Sequence, residues 1–316
     1  MDCAVSTQQR QTVGLSLAHS DPTQTVDLQS PDSALGAIDQ ILARRYGAGY
    51  GRPLLEHAVA DVARAFRGDY PGLLRCDTHY HDLRHALDAG LAMARLIDGH
   101  CMAVAADDPG RLDATHALLG VLLTLYHDIG LLRKPDEADL EGASLTPIHE
   151  RRGVHFMHAY LKNTPLAALS DRAELIMITR LDFKMRQDWQ GPDRTIARLM
   201  GAADLMSQLS DRCYLEKCRD FLFVEFSAIG LTGPGNPYPD RETLLRKTPA
   251  FYTGLLRRRI HDEYDDSDRY MAVHFGGVCP YTAAIERNFG YLQGILDAED
   301  FSQLRRTPQR IIDSRL

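Results

Sequence analysis

One stretch of this chain limits its fold more than any other: "ALLGVLLTLY", Ala117 to Tyr126, which carries no charge and no polar group beyond the hydroxyls of Thr124 and Tyr126. Wound at 3.6 residues per turn, such a run has no face fit for water, so other helices must cover it on all sides. It is also too short to cross a bilayer, which takes about 20 apolar residues. The run stops at "HDIG", so two titratable groups, His127 and Asp128, arrive at the end of a buried element.

The covering helices are visible on either side. "PLLEHAVADVARAFRG", "HYHDLRHALDAGLAMARLIDG", "IHERRGVHFMHAYLKN", "DRAELIMITRL", the long "TIARLMGAADLMSQLSDRCYLEKCRDFLFVEF" and "AAIERNFGYLQGILDAEDF" show helical spacing or long buried runs. Strand alternation is hard to find. Residues 1–33 are rich in Gln, Ser, Thr and Asp, and are expected to form a disordered tail. Order should begin in "SPDSALGAIDQILARRYG", where Ser30 or Asp32 can cap a helix and Pro31 suits its first turn. The break "GLTGPGNPYPDRE" separates a main bundle from a C-terminal helical layer without reading as an interdomain linker. The expectation is an all-α fold: a single helical domain over 34–316.

Composition narrows the partners. A formal net charge of -7 lacks the basic excess of a nucleic-acid binder. Six cysteines without a CxxC pair fit a reducing cytoplasm better than a disulfide framework. The first thirty residues show no basic start followed by an apolar stretch, so no secretory signal is read there. A cytoplasmic protein is expected, with a small-molecule substrate and no nucleic-acid or membrane partner. A second copy of the chain, as in a homodimer, is the one protein partner left open.

Chemistry gathers in three places. In "THYHDLRHALD", His81 and His85 are four apart and Asp88 lies three further on, so a helix would put them on one face. His127 and Asp128 follow the apolar run, and Asp204 sits among small and apolar residues in "MGAADLMSQLSD". A buried carboxylate there needs a cation or a donor. Together His85, His127, Asp128 and Asp204 make a two-imidazole, two-carboxylate set from three helices, a donor mixture suited to a borderline divalent metal in a bundle core. His149 and Glu150, in "PIHERRG", open a further helix.

"YHDLRHALD", then "LYHDIG", then "AADL" on a later helix, resembles the HD-domain metal-dependent phosphohydrolases. Within that superfamily it looks most like the class I cyclic-nucleotide phosphodiesterases, whose motif Tyr80, His81, His85, Ala86 and Asp88 match, with Asp82 in place of asparagine. "HERRGVHFM" also loosely resembles a stretch of the HD-GYP cyclic-dinucleotide phosphodiesterases. The resemblance covers roughly residues 50 to 290. It implies an HD/phosphodiesterase-like helical bundle with two divalent metal ions (Zn, Mg, Mn or Fe). His85, His127, Asp128 and Asp204 would hold the first ion. Asp128 would bridge to a second, with Glu150, or His149 directly, serving it. His81 would be the general acid.

Such a site would produce hydroxide near neutral pH for in-line attack on phosphorus, with His81 protonating the departing oxygen one turn from a ligand. The expected substrate is a phosphoester of a nucleotide-like small molecule, a cyclic nucleotide among the candidates. Leu131 stands where the class I enzymes carry a later histidine, and Thr248 stands near where they carry a purine-reading glutamine. The substrate-contact candidates are Arg180, Phe251 and Tyr281, with Asp182, Arg257 and Phe275 behind them. Two other functions fit the same residues: a catalytically silent ligand-binding or regulatory protein, and a di-iron oxygenase of the same superfamily.

Overall fold

The computed structural model describes residues 17–308, over which the chain is all-α. Among the described residues no strand forms, and extended pairing is limited to two isolated bridges, Ser20 with Asp27 and Thr232 with Tyr238. The helices are α1 (Pro31–Tyr46), α2 (Arg52–Arg67), α3 (Leu83–Ala103), α4 (Ala114–Leu125), α5 (His149–Lys162) and α6 (Gly191–Ser210). After them come the short α7 (Tyr214–Lys217) and α8 (Phe223–Ala228), then α9 (Arg241–Phe251), α10 (Arg257–Asp262), α11 (Arg269–His274) and α12 (Pro280–Ala298).

Helix α3 is the axis. Every residue from Leu83 to Cys101 is buried, and α1, α4, α6 and α11 pack around it. Helix α4 is buried from Ala117 onward, as its sequence demands. The segment Ala114–Leu131 has the length and composition of a membrane span, yet 83% of it is buried inside the bundle.

Capping sets the ends that matter for the site. Ser30 caps α1 by accepting from the Ser33 N–H, with Pro31 in the first turn. Helix α3 starts at Leu83, later than its spacing suggests, because the Asp82 carboxylate accepts from the His85 N–H at 3.0 Å. His79, Tyr80 and His81 therefore form a turn ahead of the helix. Helix α4 likewise ends at Leu125, and His127 and Asp128 lie in the turn that leads to a 3-10 segment, Ile129–Leu131.

Three other expectations need correction. The disordered tail read over 1–33 does not describe residues 17–30, which fold back on the bundle. There Asp21 accepts from the Thr25 and Val26 N–H groups and pairs with Arg95 at 2.7 Å, while the Ala18 carbonyl accepts from Arg84. Arg84 and Arg95 are buried on α3, and this segment supplies part of the polar company their burial requires. The rest of the expected tail, residues 1–16, lies outside the described residues. "DRAELIMITRL" falls in a 3-10 segment, Ala167–Thr179, in place of an α-helix. The long helix read over 195–226 breaks at Asp211, whose carboxylate is held by Lys217 at 2.6 Å and Arg84 at 3.4 Å, and resumes through a π turn, Cys218–Leu222.

Candidate metal centre and adjoining cavity

Four side chains from three segments converge in the core. His85 comes from the first turn of α3, His127 and Asp128 from the turn after α4, and Asp204 from the middle of α6; all four are buried. His85 Nε2 lies 3.2 Å from His127 Nε2, 3.2 Å from Asp204 Oδ1 and 3.5 Å from Asp128 Oδ2. His127 Nε2 lies 3.1 Å from Asp128 Oδ2 and 3.5 Å from Asp204 Oδ1. Ligands bonded to one ion at about 2.0–2.2 Å stand roughly 3.0–3.5 Å apart in octahedral or tetrahedral arrangements. The donor spacing matches that.

The proton positions point the same way. His127 Nδ1 is 2.7 Å from the Thr124 carbonyl, which can only accept, so Nδ1 carries the hydrogen and Nε2 offers its lone pair to the cluster. Asp128 Oδ2 is buried and accepts no hydrogen bond. Burial opposes charging His127, but Asp128 and Asp204 outweigh it and hold its pKa well above the usual range. Against the same burial, the neighbouring imidazoles hold the Asp128 and Asp204 carboxyls below theirs. These residues fit a divalent cation, which would take the place of the shared proton.

A second donor edge adjoins the first. His149 Nε2 is 3.3 Å from Asp128 Oδ1, and its Nδ1 donates to the Thr146 carbonyl at 2.7 Å, repeating the His127 arrangement. Glu150 is buried, and its Oε2, 3.4 Å from His149 Nδ1, accepts no hydrogen bond. Two glycines bring this edge close. A Cβ on Gly130 would run into the His149 carbonyl, and one on Gly153 would stand 3.1 Å from the His127 carbonyl. Only glycines let the His-Asp turn and the start of α5 press together this tightly.

His81 reaches the centre from the turn ahead of α3, not from the same helical face as His85. Its ring centroid is 6.0 Å from that of His85 and 6.5 Å from that of His149. Its Nδ1 lies 2.6 Å from Glu225 Oε2 on α8. Burial alone would lower the His81 pKa; Glu225, helped by Asp128 and Asp204, raises it to about 9. Glu225 Oε1 also accepts from the His79 and Tyr80 N–H groups at 2.8 and 2.6 Å, so one carboxylate fixes both the turn and the ring it presents. Neither Glu225 nor Gln208 is among the expected site residues. Gln208 Nε2 donates to Asp204 Oδ1 at 2.5 Å and its Oε1 accepts from the Tyr80 hydroxyl at 3.2 Å. The signal for Glu225 is an acid inside the apolar run "FLFVEF", the same kind that singles out Asp204.

The centre opens into a cavity of about 350 Å³. Arg180 and Phe251 line it, and among the described residues Arg180 is the one Lys or Arg on its wall. Asp182 holds Arg180 Nε at 2.6 Å, and the Pro147 carbonyl accepts from its Nη1 at 2.8 Å. Tyr281 does not belong to the site. It is fully buried on α12, its hydroxyl accepting from Arg95 Nη1 at 2.7 Å, because that interior cation needs a partner. Phe275 packs with it against Arg95, and Arg257 is absent from the cavity wall. Asp88 faces a small polar cleft beneath His85 with Arg84, Asp211 and Lys217, and burial pushes its carboxyl up to about 7.

Residues 136–273 match the model of a family described as Npun_R2479-like, a stretch that carries His149, Glu150, Arg180, Asp204 and Glu225 but not His85, His127 or Asp128. No curated protein and no solved structure matches the chain.

Proposed function

We propose that this protein is a metal-dependent phosphoester hydrolase acting on a small organic phosphate. The reading is carried by one juxtaposition: a four-donor cluster spaced 3.1–3.5 Å apart, with His81, paired to Glu225, beside it on the cavity wall. His85, His127, Asp128 and Asp204 would hold a divalent cation, which would supply Lewis acidity and a water nucleophile near neutral pH. Asp128, His149 and Glu150 would serve a second cation.

The remaining work belongs to the chain itself. Glu225 keeps His81 protonated at neutral pH in the metal-free site, and His81 would be the general acid for the departing oxygen, a role typically worth about 10²–10⁴ in rate. Glu225 keeps that ring charged and aimed. Gln208 fixes the carboxylate of Asp204, and the hydrogen bonds from His127 to Thr124 and from His149 to Thr146 fix both imidazoles. Arg180, with Nη1 3.8 Å from Glu150 Oε2, stands where a phosphoryl oxygen near the second edge would meet it. The cysteine pattern, which suits a reducing compartment, supports a cytoplasmic setting.

Hydrolysis of bis(p-nitrophenyl) phosphate by chelator-stripped protein, with Mn, Mg, Fe or Zn restored in turn, tests this. Turnover with at least one metal, lost on chelation and in Asp128→Ala, is expected. Silence with all four metals contradicts the reading and favours a ligand-binding protein.

A further inference from the structure

Away from the donor cluster, the cavity wall is apolar. Leu205 and Leu209 of α6, Leu222 of the π turn, Phe226 of α8, Phe251 of α9 and Leu256 beyond it face the same space. Several polar side chains on that wall already spend their hydrogen bonds on the protein, and Asp182, paired with Arg180, and Tyr214 complete its polar part. The Thr146 hydroxyl donates to the Ala143 carbonyl at 2.7 Å, and the Thr179 hydroxyl to the Ile176 carbonyl at 2.9 Å. Gln208, the one amide on the wall, is held at both ends by Asp204 and Tyr80. Arg180 is tied to Asp182 and to the Pro147 carbonyl and lies toward Glu150, which leaves one further N–H on each of Nη1 and Nη2 for a phosphoryl oxygen. The Thr248 hydroxyl donates to the Leu244 carbonyl and takes no part in the wall.

A nucleobase brings several donors and acceptors on its edge, and burying them unpaired costs more than its ring gains. An alkyl or aryl group carries no such demand. We infer that, within the hydrolase reading on which this rests, the substrate is a phosphoester whose organic part is an apolar alkyl or aryl group, seated between the α6 leucines and Phe251, and not a nucleoside. The phosphate meets the donor cluster and Arg180 while the apolar group fills the slot.

Phosphonates test the slot without turnover, because their P–C bond is not cut by hydrolysis of an ester. Calorimetric binding of methyl-, hexyl- and phenylphosphonate and of adenosine 5′-monophosphate to Mn-replete protein is the measurement. Each methylene taken out of water contributes about fourfold at full burial, so hexyl- and phenylphosphonate should bind at least about tenfold tighter than methylphosphonate. The nucleotide should bind no tighter than the methyl compound. Leu222→Gln and Phe251→Ser, both at half-buried positions, should shrink the hexyl advantage to about threefold or less, as expected when a polar group enters the slot.

Equal binding of all three phosphonates, or tightest binding by the nucleotide, overturns the inference. The nitrophenyl ester assay run beside it separates the two claims. Turnover with flat binding leaves the hydrolase and removes the apolar substrate. Chain-length-dependent binding without turnover keeps the apolar slot and removes the hydrolase.

Discussion

His81 Nδ1 and Glu225 Oε2 stand 2.6 Å apart across 144 residues of chain, while the other oxygen of Glu225 holds the backbone N–H groups of His79 and Tyr80. The pair should titrate as a coupled unit. Against the lowering effect of burial, Glu225 lifts the metal-free His81 pKa to about 9, from 6.5. His81 also holds the Glu225 carboxyl below 4.5, again against burial. The stability this pair adds is therefore fully present between pH 4.5 and 6.5. It fades as pH rises through 9, and again as pH falls through the depressed Glu225 pKa. Glu225→Gln should return the His81 pKa toward 6.5, read by NMR of the metal-free protein. An unchanged His81 pKa would mean that the two groups are not coupled.

Removing the imidazole separates positioning from metal binding. His81→Ala should lower turnover of alkyl phosphoesters by about 10²–10⁴ and affect nitrophenyl esters less than about tenfold, since a good leaving group needs little protonation. Metal content, measured on the same samples, should stay at the wild-type level. Equal losses on both substrate types would place His81 outside the proton transfer.

Gly130 gives the site a purely steric check. Adding a methyl there drives it against the His149 carbonyl, a backbone atom that cannot swing away. Gly130→Ala should cost about 1–3 kcal/mol in urea unfolding, as overpacking does. Gly153→Ala should cost less, its new contact being merely tight. A Gly130→Ala protein as stable as wild type would show that the turn and α5 are not pressed together.

Asp98 supplies an acid-sensitive clamp far from the cavity. Its carboxylate meets Arg44 at 3.1 Å, Arg45 at 2.8 Å and His274 at 2.7 Å, joining α1, α3 and α11. Burial works against ionisation, but His274 and Arg45 bring the pKa down to about 2. A depressed carboxyl contributes stability above its unfolded value of 3.8 and loses it as pH falls from there through 2. Asp98→Asn should cost about 1–3 kcal/mol at neutral pH, discounted because Arg44 and Arg45 reach water. Its stability should also fall less steeply than wild type between pH 4 and 2, followed by urea unfolding. Parallel acid limbs would show that Asp98 does not titrate with folding.

The helices of this fold are legible because burial leaves a periodic trace. The unbroken run before His127 already requires a helix enclosed by others, and the ends of α3, α4 and α12 lie within four residues of the stretches that suggest them. Element ends are harder to read, because one side chain decides them: Asp82 caps α3 and so moves His81 off the helix. Residues 17–30 look like a polar tail because their partners, Arg84 and Arg95, are distant in sequence. The donors His85, His127, Asp128 and Asp204 stand out as polar groups where apolar ones belong. Glu225 carries the same mark in "FLFVEF", but its partner lies 144 residues away. Nothing in the sequence separates Tyr281 from the cavity; its place follows from the burial of Arg95, which donates to its hydroxyl.

The central claim is that His85, His127, Asp128 and Asp204 hold a cation together. Anomalous diffraction at the Mn absorption edge, from crystals grown with Mn, tests it most directly. A peak within about 2.0–2.4 Å of both Nε2 atoms and of an oxygen of each aspartate is the expected result. No peak among these four side chains, or one seated elsewhere while they remain hydrogen-bonded to each other, would contradict it.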